Sequence, residues 1–280
     1  MKENKYFKGW DNKSHLDKFN PWNYYSNSFF NYTFGSFYEN KKILELLKKK
    51  NNIEVLDVGC ASGYLLRYIL KNVSGFNTKN YLGVDISKSA IEFAKKKYGI
   101  NNFKVLDNEN LIFNDNTLYD IVYSRDTILH QVNPIQFINK LLKLSKNYIV
   151  LRLRTRDKGK TEFNSEHSCQ MHYDKYWMPY IVINIDELIE IFKMNAFIKE
   201  VSINKSYMTL GGQNYRFLPK DLYFSESGTA ETSIILKVDR SKNFTNILKI
   251  NETSEKEGQI YISENQLKFL IYRVLNKIGI

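Results

Sequence analysis

The sequence predicts an α/β fold, doubly wound, with a mostly parallel sheet and helices on both faces. Two observations carry this. Between residues 53 and 153 strand-like and helix-like segments alternate without interruption, the pattern of a parallel sheet linked by crossover helices. The strand segments are apolar nearly throughout, as strands covered on both faces must be.

The elements follow in order. "IEVLDVG" reads as a buried strand and "YLLRYILKNV" as a helix. "NYLGVDIS" is a second strand, "KSAIEFAKKKYG" a second helix and "NFKVLD" a third strand. "YDIVYSRD" is a fourth, followed by a helix through "PIQFINKLLKLS" and a fifth strand, "NYIVLRLRT". A long insertion then spans residues 155–185. "DELIEIFKMNAF" returns as a helix, with Asp186 as its expected N-cap. "IKEVSIN" and "ETSIILKV" are two more strands around a second insertion, 205–231, which holds Gly211 and Gly212. Residues 40–50 form a helix ending in lysines, which suit the negative end of its dipole. Residues 1–39 are too aromatic for a disordered tail and read as an N-terminal cover or lid, although their periodicity is poor. Residues 241–280 form a C-terminal extension: a polar linker, a short strand "QIYIS" and a last helix. The body of the domain is therefore expected over residues 40–240.

Composition narrows the class. The chain is 43% hydrophobic and 15% aromatic, enough for a substantial core. It has no apolar run of the ~18 residues a membrane span requires. Its start lacks the apolar stretch of a secretory signal. The two cysteines, Cys60 and Cys169, give no disulfide framework and suit a reducing, cytoplasmic setting. The formal charge of +11 could serve nucleic acid or an anionic substrate. The lysines are spread along helix-like segments, however, so a solvated surface accounts for them better than a nucleic-acid partner.

The chemistry begins at "VLDVGCASG". Ligands of open parallel sheets bind at the carboxyl ends of the strands. Gly59 and Gly63 lie there and permit a tight turn and close backbone approach. The dinucleotide fingerprint is incomplete, because Ala61 stands where the middle glycine belongs. No Gly-Lys-Ser/Thr follows either. Instead Asp57 precedes the turn, where a carboxylate disfavours phosphate and favours a cation. Asp85 ends the next strand, where it can accept both hydroxyls of a ribose. A ribose, a cationic group and no phosphate describe S-adenosylmethionine (SAM). The structural alternative for Asp57 is a cap on the following turn.

The segments "VLDVGCASG", "YLGVDISKSAIEFAKK", "FKVLDNENLIF" and "YDIVYSRDTILHQVNP" resemble the successive motifs of the class I (Rossmann-like) SAM-dependent methyltransferases. Order and spacing match over residues 53–153, and the later strands are compatible to about residue 238. The resemblance implies seven strands, the last antiparallel, with insertions after strands five and six. It implies that Asp57 contacts the methionine ammonium region, that Gly59, Cys60, Ala61 and Gly63 form the loop beneath the cofactor, and that Asp85 binds the ribose. Ile86 would pack on the adenine, with Asp107 and Asn108 near its amino group. Ser124 and Arg125 would line the methionine end, Arg125 pairing with its carboxylate or with an acidic substrate.

The acceptor is less constrained. A base for methyl transfer to a hydroxyl is sought among histidines: His130 after strand four, and His167 and His172 in the first insertion. For His130 the alternative is packing. "HSCQMHYD" matches no standard zinc spacing, so no metal is expected. Arg152, Arg154 and Arg156 alternate along strand five and so share one side. The later two should emerge at the strand's end, where guanidiniums suit carboxylate or phosphate. With Tyr173, Tyr176 and Trp177 nearby, Arg154 and Arg156 point to a sugar or an anionic, phosphorylated intermediate, with O-methylation favoured. The alternatives are an RNA or protein methyltransferase and a SAM-binding protein without catalysis. Neither a base N-methylation signature nor a Pro-Cys nucleophile is found.

Overall fold

The computed structural model describes residues 26–50, 52–106, 117–163, 169–173, 176–207, 216–217, 227–241 and 248–254. Its elements are α1 (Asn27–Gly35), α2 (Tyr38–Lys49), β1 (Val55–Val58), α3 (Tyr64–Asn72), β2 (Tyr81–Asp85), α4 (Lys88–Tyr98), β3 (Phe103–Val105) and β4 (Tyr119–Arg125). Then follow α5 (Pro134–Leu144), β5 (Ser145–Arg156), β6 (Cys169–Tyr173), β7 (Tyr176–Tyr180), β8 (Ile183–Asn184), α6 (Ile185–Lys193), β9 (Ile198–Ser206), β10 (Arg216–Phe217), β11 (Ala230–Val238) and β12 (Lys249–Ser254).

The main sheet has nine strands in the order β12-β9-β11-β5-β4-β1-β2-β3, with β8 beside the end of β5. Only β11 runs against the others, pairing antiparallel with both β5 and β9. This is the expected seven-stranded arrangement with two additions, the short β8 and the edge strand β12. Strand order reverses between β1 and β4, so the switch point lies where the glycine loop leaves β1.

Alternation along the strands divides the core in two. Leu56, Val58, Val84, Val122, Ile149, Leu151 and Leu153 face α5 and α6. Val55, Tyr81, Ile121, Tyr123 and Val150 face the other way, against α1, α2, α3 and α4. Helices α1 and α2 thus contribute a true layer. Phe30 and Phe34, one helical turn apart on α1, stack 5.0 Å between centroids and are both 1% exposed. Burying each contributes about 2–3 kcal/mol. A polar seam locks the layer down: Tyr123 Oη donates to Asn40 Oδ1 at 2.7 Å, and Asn40 Nδ2 donates to the Phe34 carbonyl at 2.7 Å.

The two insertions meet. Strands β6 and β7 of the first and β10 of the second form a separate three-stranded antiparallel sheet, in the order β10-β6-β7. Two local expectations are corrected. The cap of α6 is Asn184, whose Oδ1 accepts from the amides of Asp186 and Glu187 at 2.9 and 3.0 Å; Asp186 lies inside the first turn, where its charge suits the dipole. The segment read as a polar linker contains β12, which pairs parallel with β9. Its residues are exposed, so backbone pairing rather than apolar packing makes it a strand. The predicted strand "QIYIS" and the last helix lie outside the described residues.

Asn184 also donates to the Gly159 carbonyl at 2.7 Å, which ties the start of α6 to the loop after β5. Asn184→Ala should therefore cost ~1–2 kcal/mol and lower Tm by about 2–8 °C in thermal denaturation, with Asp186→Ala nearly neutral. Equal effects of the two substitutions would return the cap to Asp186.

Candidate functional site

The loop after β1 is held from below by β2. The amides of Gly59 and Cys60 both donate to the Val84 carbonyl, at 2.8 and 3.1 Å. Gly59 and Gly63 have φ of +79° and +80°, in the left-handed region that favours glycine. A Cβ at Gly59 would collide with the Thr127 side chain, and one at Gly63 would lie 2.7 Å from Tyr98 Cε2. Ala61 also adopts positive φ, +47°, at a cost of about 1 kcal/mol. The glycine common at that position in the resembling family therefore has a conformational reason. Gly63 begins α3 with no side-chain cap, so the positive end of that helix opens on the loop.

The two acids of the motif differ. Asp85 Oδ2 accepts from the Ala61 amide and Oδ1 from the Ser87 amide, both at 2.8 Å. The carboxylate thereby fixes the strained loop as well as ending β2, and Ile86 beside it is half-buried. Asp57 is 2% exposed and accepts from Tyr81 Oη at 2.7 Å. Burial pushes its carboxyl up to about 7, against the lowering effect of the Tyr81 hydrogen bond, with the Asp85 charge adding to the rise. A buried acid so destabilised is one that a neighbouring cation would stabilise. The Cys60 thiol is buried in the same loop and pushed up by that burial.

At the end of β4, Ser124 is fully buried and donates to the Val58 carbonyl at 3.0 Å, joining β4 to the loop strand. Arg125 turns toward the cover. Its Nε donates to Glu39 Oε1 at 3.1 Å, and its guanidinium lies over the rings of Phe37 and Phe34, 4.6 and 5.2 Å from their centroids. His130 is 8% exposed. Its Nδ1 lies 2.9 Å from the Pro179 carbonyl, which can only accept, so Nδ1 carries a hydrogen. The ring meets Tyr180 edge-on at 5.7 Å.

The expectation that the later arginines of β5 emerge from the protein is corrected: Arg152, Arg154 and Arg156 are 4%, 5% and 6% exposed. Carboxylates and carbonyls make this burial tolerable. Arg152 pairs with Glu231 and lies 3.5 Å from Asp126. Arg154 pairs with Glu231, lies 3.4 Å from Asp126 and donates through Nε to Tyr180 Oη at 2.9 Å. Arg156 donates to the carbonyls of Lys158 and Lys160, closing its own loop.

Asp126 is the most conspicuous residue that sequence reading passed over. It adopts φ of +56°, and its amide donates to the Arg152 carbonyl at 2.9 Å. Burial alone would raise its carboxyl, but Arg152, Arg125 and Arg154 hold it well below the usual range. Its side chain is nevertheless 34% exposed, beside two arginines at 5%. The signal was present, as the acid after the fourth strand in "SRDT". Glu39, Glu231 and Tyr180 gave none, because only the tertiary fold brings them to β5.

Asp107, Asn108 and His167 lie outside the described residues. His172 and Tyr173 of β6 lie opposite Trp177 and Tyr176 of β7 in the small sheet, placed by their backbone. Among the described residues no cluster of His, Cys, Asp and Glu could hold a metal ion, and no helix is long and apolar enough to cross a membrane.

The arrangement matches known proteins. A family model described as "Methyltransferase domain" matches residues 49–208. A phosphoethanolamine N-methyltransferase of Triticum aestivum is 36% identical over 103 residues, covering 35% of this chain and 19% of that protein. The putative methyltransferase 235L of Invertebrate iridescent virus 6 is 34% identical over 138 residues, covering 46% of this chain and 48% of that protein. The chain thus spans between a fifth and a half of these relatives' length. Among solved structures, the plantazolicin methyltransferase BpumL in complex with a pentazolic desmethylPZN analog and SAH superposes with a TM-score of 0.51 at 19% identity, over 84% of this chain and 94% of that one. The match over more than half of the chain, on this sheet order and this glycine loop, establishes that the chain belongs to the class I SAM-dependent methyltransferase family.

Proposed function

We propose that this chain transfers a methyl group from SAM to the nitrogen of a small polar amine, phosphoethanolamine being the candidate that its relatives' names suggest. One observation carries the choice of acceptor: Asp126, ionised and a third exposed at the carboxyl end of β4, among arginines that are otherwise buried. A carboxylate in that position attracts an ammonium or an amine N–H. An anionic acceptor group would have to displace it.

The cofactor half rests on the fit of the loop. Gly59, Cys60, Ala61 and Gly63 present backbone at close range, where a Cβ on either glycine would intrude. Asp85, which ends β2 beside the loop, would take the ribose hydroxyls. Asp57 would meet the cationic methionine end, with Ser124 and Arg125 bordering it and Ile86, Asp107 and Asn108 serving the adenine. When bound, the cofactor supplies an electrophilic methyl on a sulfonium. The amine binds as its ammonium against Asp126. His130 is the candidate to take its proton, which would free the nitrogen lone pair for the methyl, with the thioether as leaving group. Tyr173, Tyr176 and Trp177 of the first insertion are the candidates to contact the rest of the acceptor. His167 and His172 are alternative bases from the same insertion. Arg154 acts through Asp126, and Arg156 shapes the loop.

O-methylation of a hydroxyl acceptor is the second reading, and the fixed tautomer of His130 favours it, since a hydroxyl needs a base more than an amine does. Incubating the protein with isotopically labelled SAM and a panel of phosphoethanolamine, ethanolamine and sugar phosphates separates the two. Label on nitrogen supports the amine reading; label on hydroxyl acceptors alone overturns it.

Three further outcomes are expected. Asp85→Ala should weaken SAM binding by ~10-fold or more in calorimetry; undiminished affinity would remove Asp85 from the site. Asp126→Asn should lower kcat/KM for the amine at least about 30-fold while SAM affinity is kept; parallel loss of both would make Asp126 structural. The pH dependence follows from Asp57. Its folded value, about 7, lies above the unfolded one. Without cofactor the folded state therefore takes up protons, and stability falls as pH rises through that window. A cation favours the ionised form, so SAM affinity should fall from pH 8 to pH 6, with proton release on binding that Asp57→Asn abolishes. A pH-independent affinity would contradict the contact.

A further inference from the structure

Glu39 is buried to 1% exposure in the first turn of α2, far in sequence from the strands it meets. Its Oε1 accepts from Arg125 Nε at 3.1 Å and lies 4.0 Å from Arg152 Nη1, and its Oε2 accepts from Ser233 Oγ of β11 at 2.6 Å. A single carboxylate of the N-terminal cover therefore contacts β4, β5 and β11 together. The guanidiniums and carboxylates around it balance: Arg125, Arg152 and Arg154 bring three positive charges and Glu39, Asp126 and Glu231 three negative ones, with the titratable His130 also acting on Asp126. Only Asp126 reaches solvent appreciably.

Without Glu39, three guanidiniums would face two carboxylates, and the exposed edge at Asp126 would carry net positive charge. We propose that Glu39 is a positioning residue for the acceptor: from the cover, it neutralises Arg125 and Arg152 so that Asp126 is left to hold a cationic nitrogen. This rests on the amine reading above and adds to it that the acceptor site is electrostatically complete only with the cover seated. Phe37, the residue before α2, supports the arrangement, since its ring lies under both guanidiniums at 4.6 and 4.2 Å. Arg125 and Arg152 are thus held between one aromatic ring and a shared acid.

The test uses the full chain saturated with SAH and two probes, ethanolamine and inorganic phosphate, followed by calorimetry. Wild type should bind ethanolamine. Glu39→Gln should weaken that binding by about 10-fold or more and strengthen phosphate binding, with SAM affinity unchanged. The double variant Glu39→Gln/Arg152→Gln restores charge balance without touching a cofactor-binding residue and should recover ethanolamine affinity. Undiminished ethanolamine binding in Glu39→Gln overturns the proposal, and so does failure of the double variant to recover it, since a packing role would worsen with a second substitution. If Glu39→Gln does not fold, the double variant decides alone: folded with near wild-type ethanolamine affinity it supports the proposal, and otherwise it overturns it. Wild type that binds no ethanolamine overturns the amine reading itself, and this inference with it.

Discussion

Three arginines on one face of a central strand set the terms for the rest of the structure. Arg152, Arg154 and Arg156 alternate along β5, so the pleat sends all three to the layer that α1 and α2 occupy. Burying a guanidinium without a partner is prohibitive, and removing one partner from a buried pair costs about 3–5 kcal/mol. Each arginine therefore recruits oxygen from elsewhere in the chain: Glu39 from the cover, Asp126 from the end of β4, Glu231 from β11, and loop carbonyls for Arg156. The antiparallel strand β11 is held to β5 by side chains as well as by its ladder, since Glu231 lies in register with Arg154. The N-terminal cover is likewise fixed by charge as well as by Phe30 and Phe34. Burial lowers Arg152 to about 10 even among these partners, which measures how much desolvation the cluster bears.

Backbone strain marks the same region. Ala61 and Asp126 both adopt positive φ without being glycine, one after β1 and the other after β4. These strands are neighbours at the topological switch point. Each strained residue is fixed by a hydrogen bond from its own amide, Ala61 to Asp85 and Asp126 to the Arg152 carbonyl. The two turns thus stand side by side at the switch point with fixed backbone, which is what aligning a cofactor with an acceptor demands. Strain of about 1–3 kcal/mol per residue is sustained there because the surrounding sheet over-determines the conformation.

Legibility in the sequence followed locality. The alternation from Ile53 to Leu153 gave the class and the succession of strands and helices, because parallel strands and crossover helices carry their patterns within a few residues. The glycine loop was readable for the same reason: Asp57, Gly59, Gly63 and Asp85 derive their meaning from position at strand ends. Alternation also put the β5 arginines on one side correctly. It could not show that side to be buried, since their partners Glu39 and Glu231 lie 113 residues before Arg152 and 77 after Arg154. The cap of α6 was displaced by two residues because Asn184 and Asp186 are both good caps, and the Gly159 contact that favours Asn184 is tertiary. Strand β12 has one apolar residue of note, Ile250, so periodicity had nothing to register.

The charge balance of the cluster changes what the chain's basicity means. A formal charge of +11 invites an anionic partner, yet the arginines nearest the switch point are cancelled one for one by carboxylates. The excess lies elsewhere, on helix faces such as Lys95, Lys96 and Lys97 in the last turn of α4. Anion recognition near the reaction centre would thus have to come from segments other than β4 and β5. The insertions are the segments in place to supply it, because β7 runs directly into the Pro179–Ile181 stretch that grips the turn carrying His130: the Pro179 carbonyl meets the imidazole and the Ile181 amide donates to the Leu129 carbonyl at 2.7 Å. Whatever the small sheet binds is then mechanically joined to the candidate base. On the amine reading, selectivity would divide accordingly, with Asp126 on the core judging the cationic end of the acceptor and strands of the insertions judging the remainder.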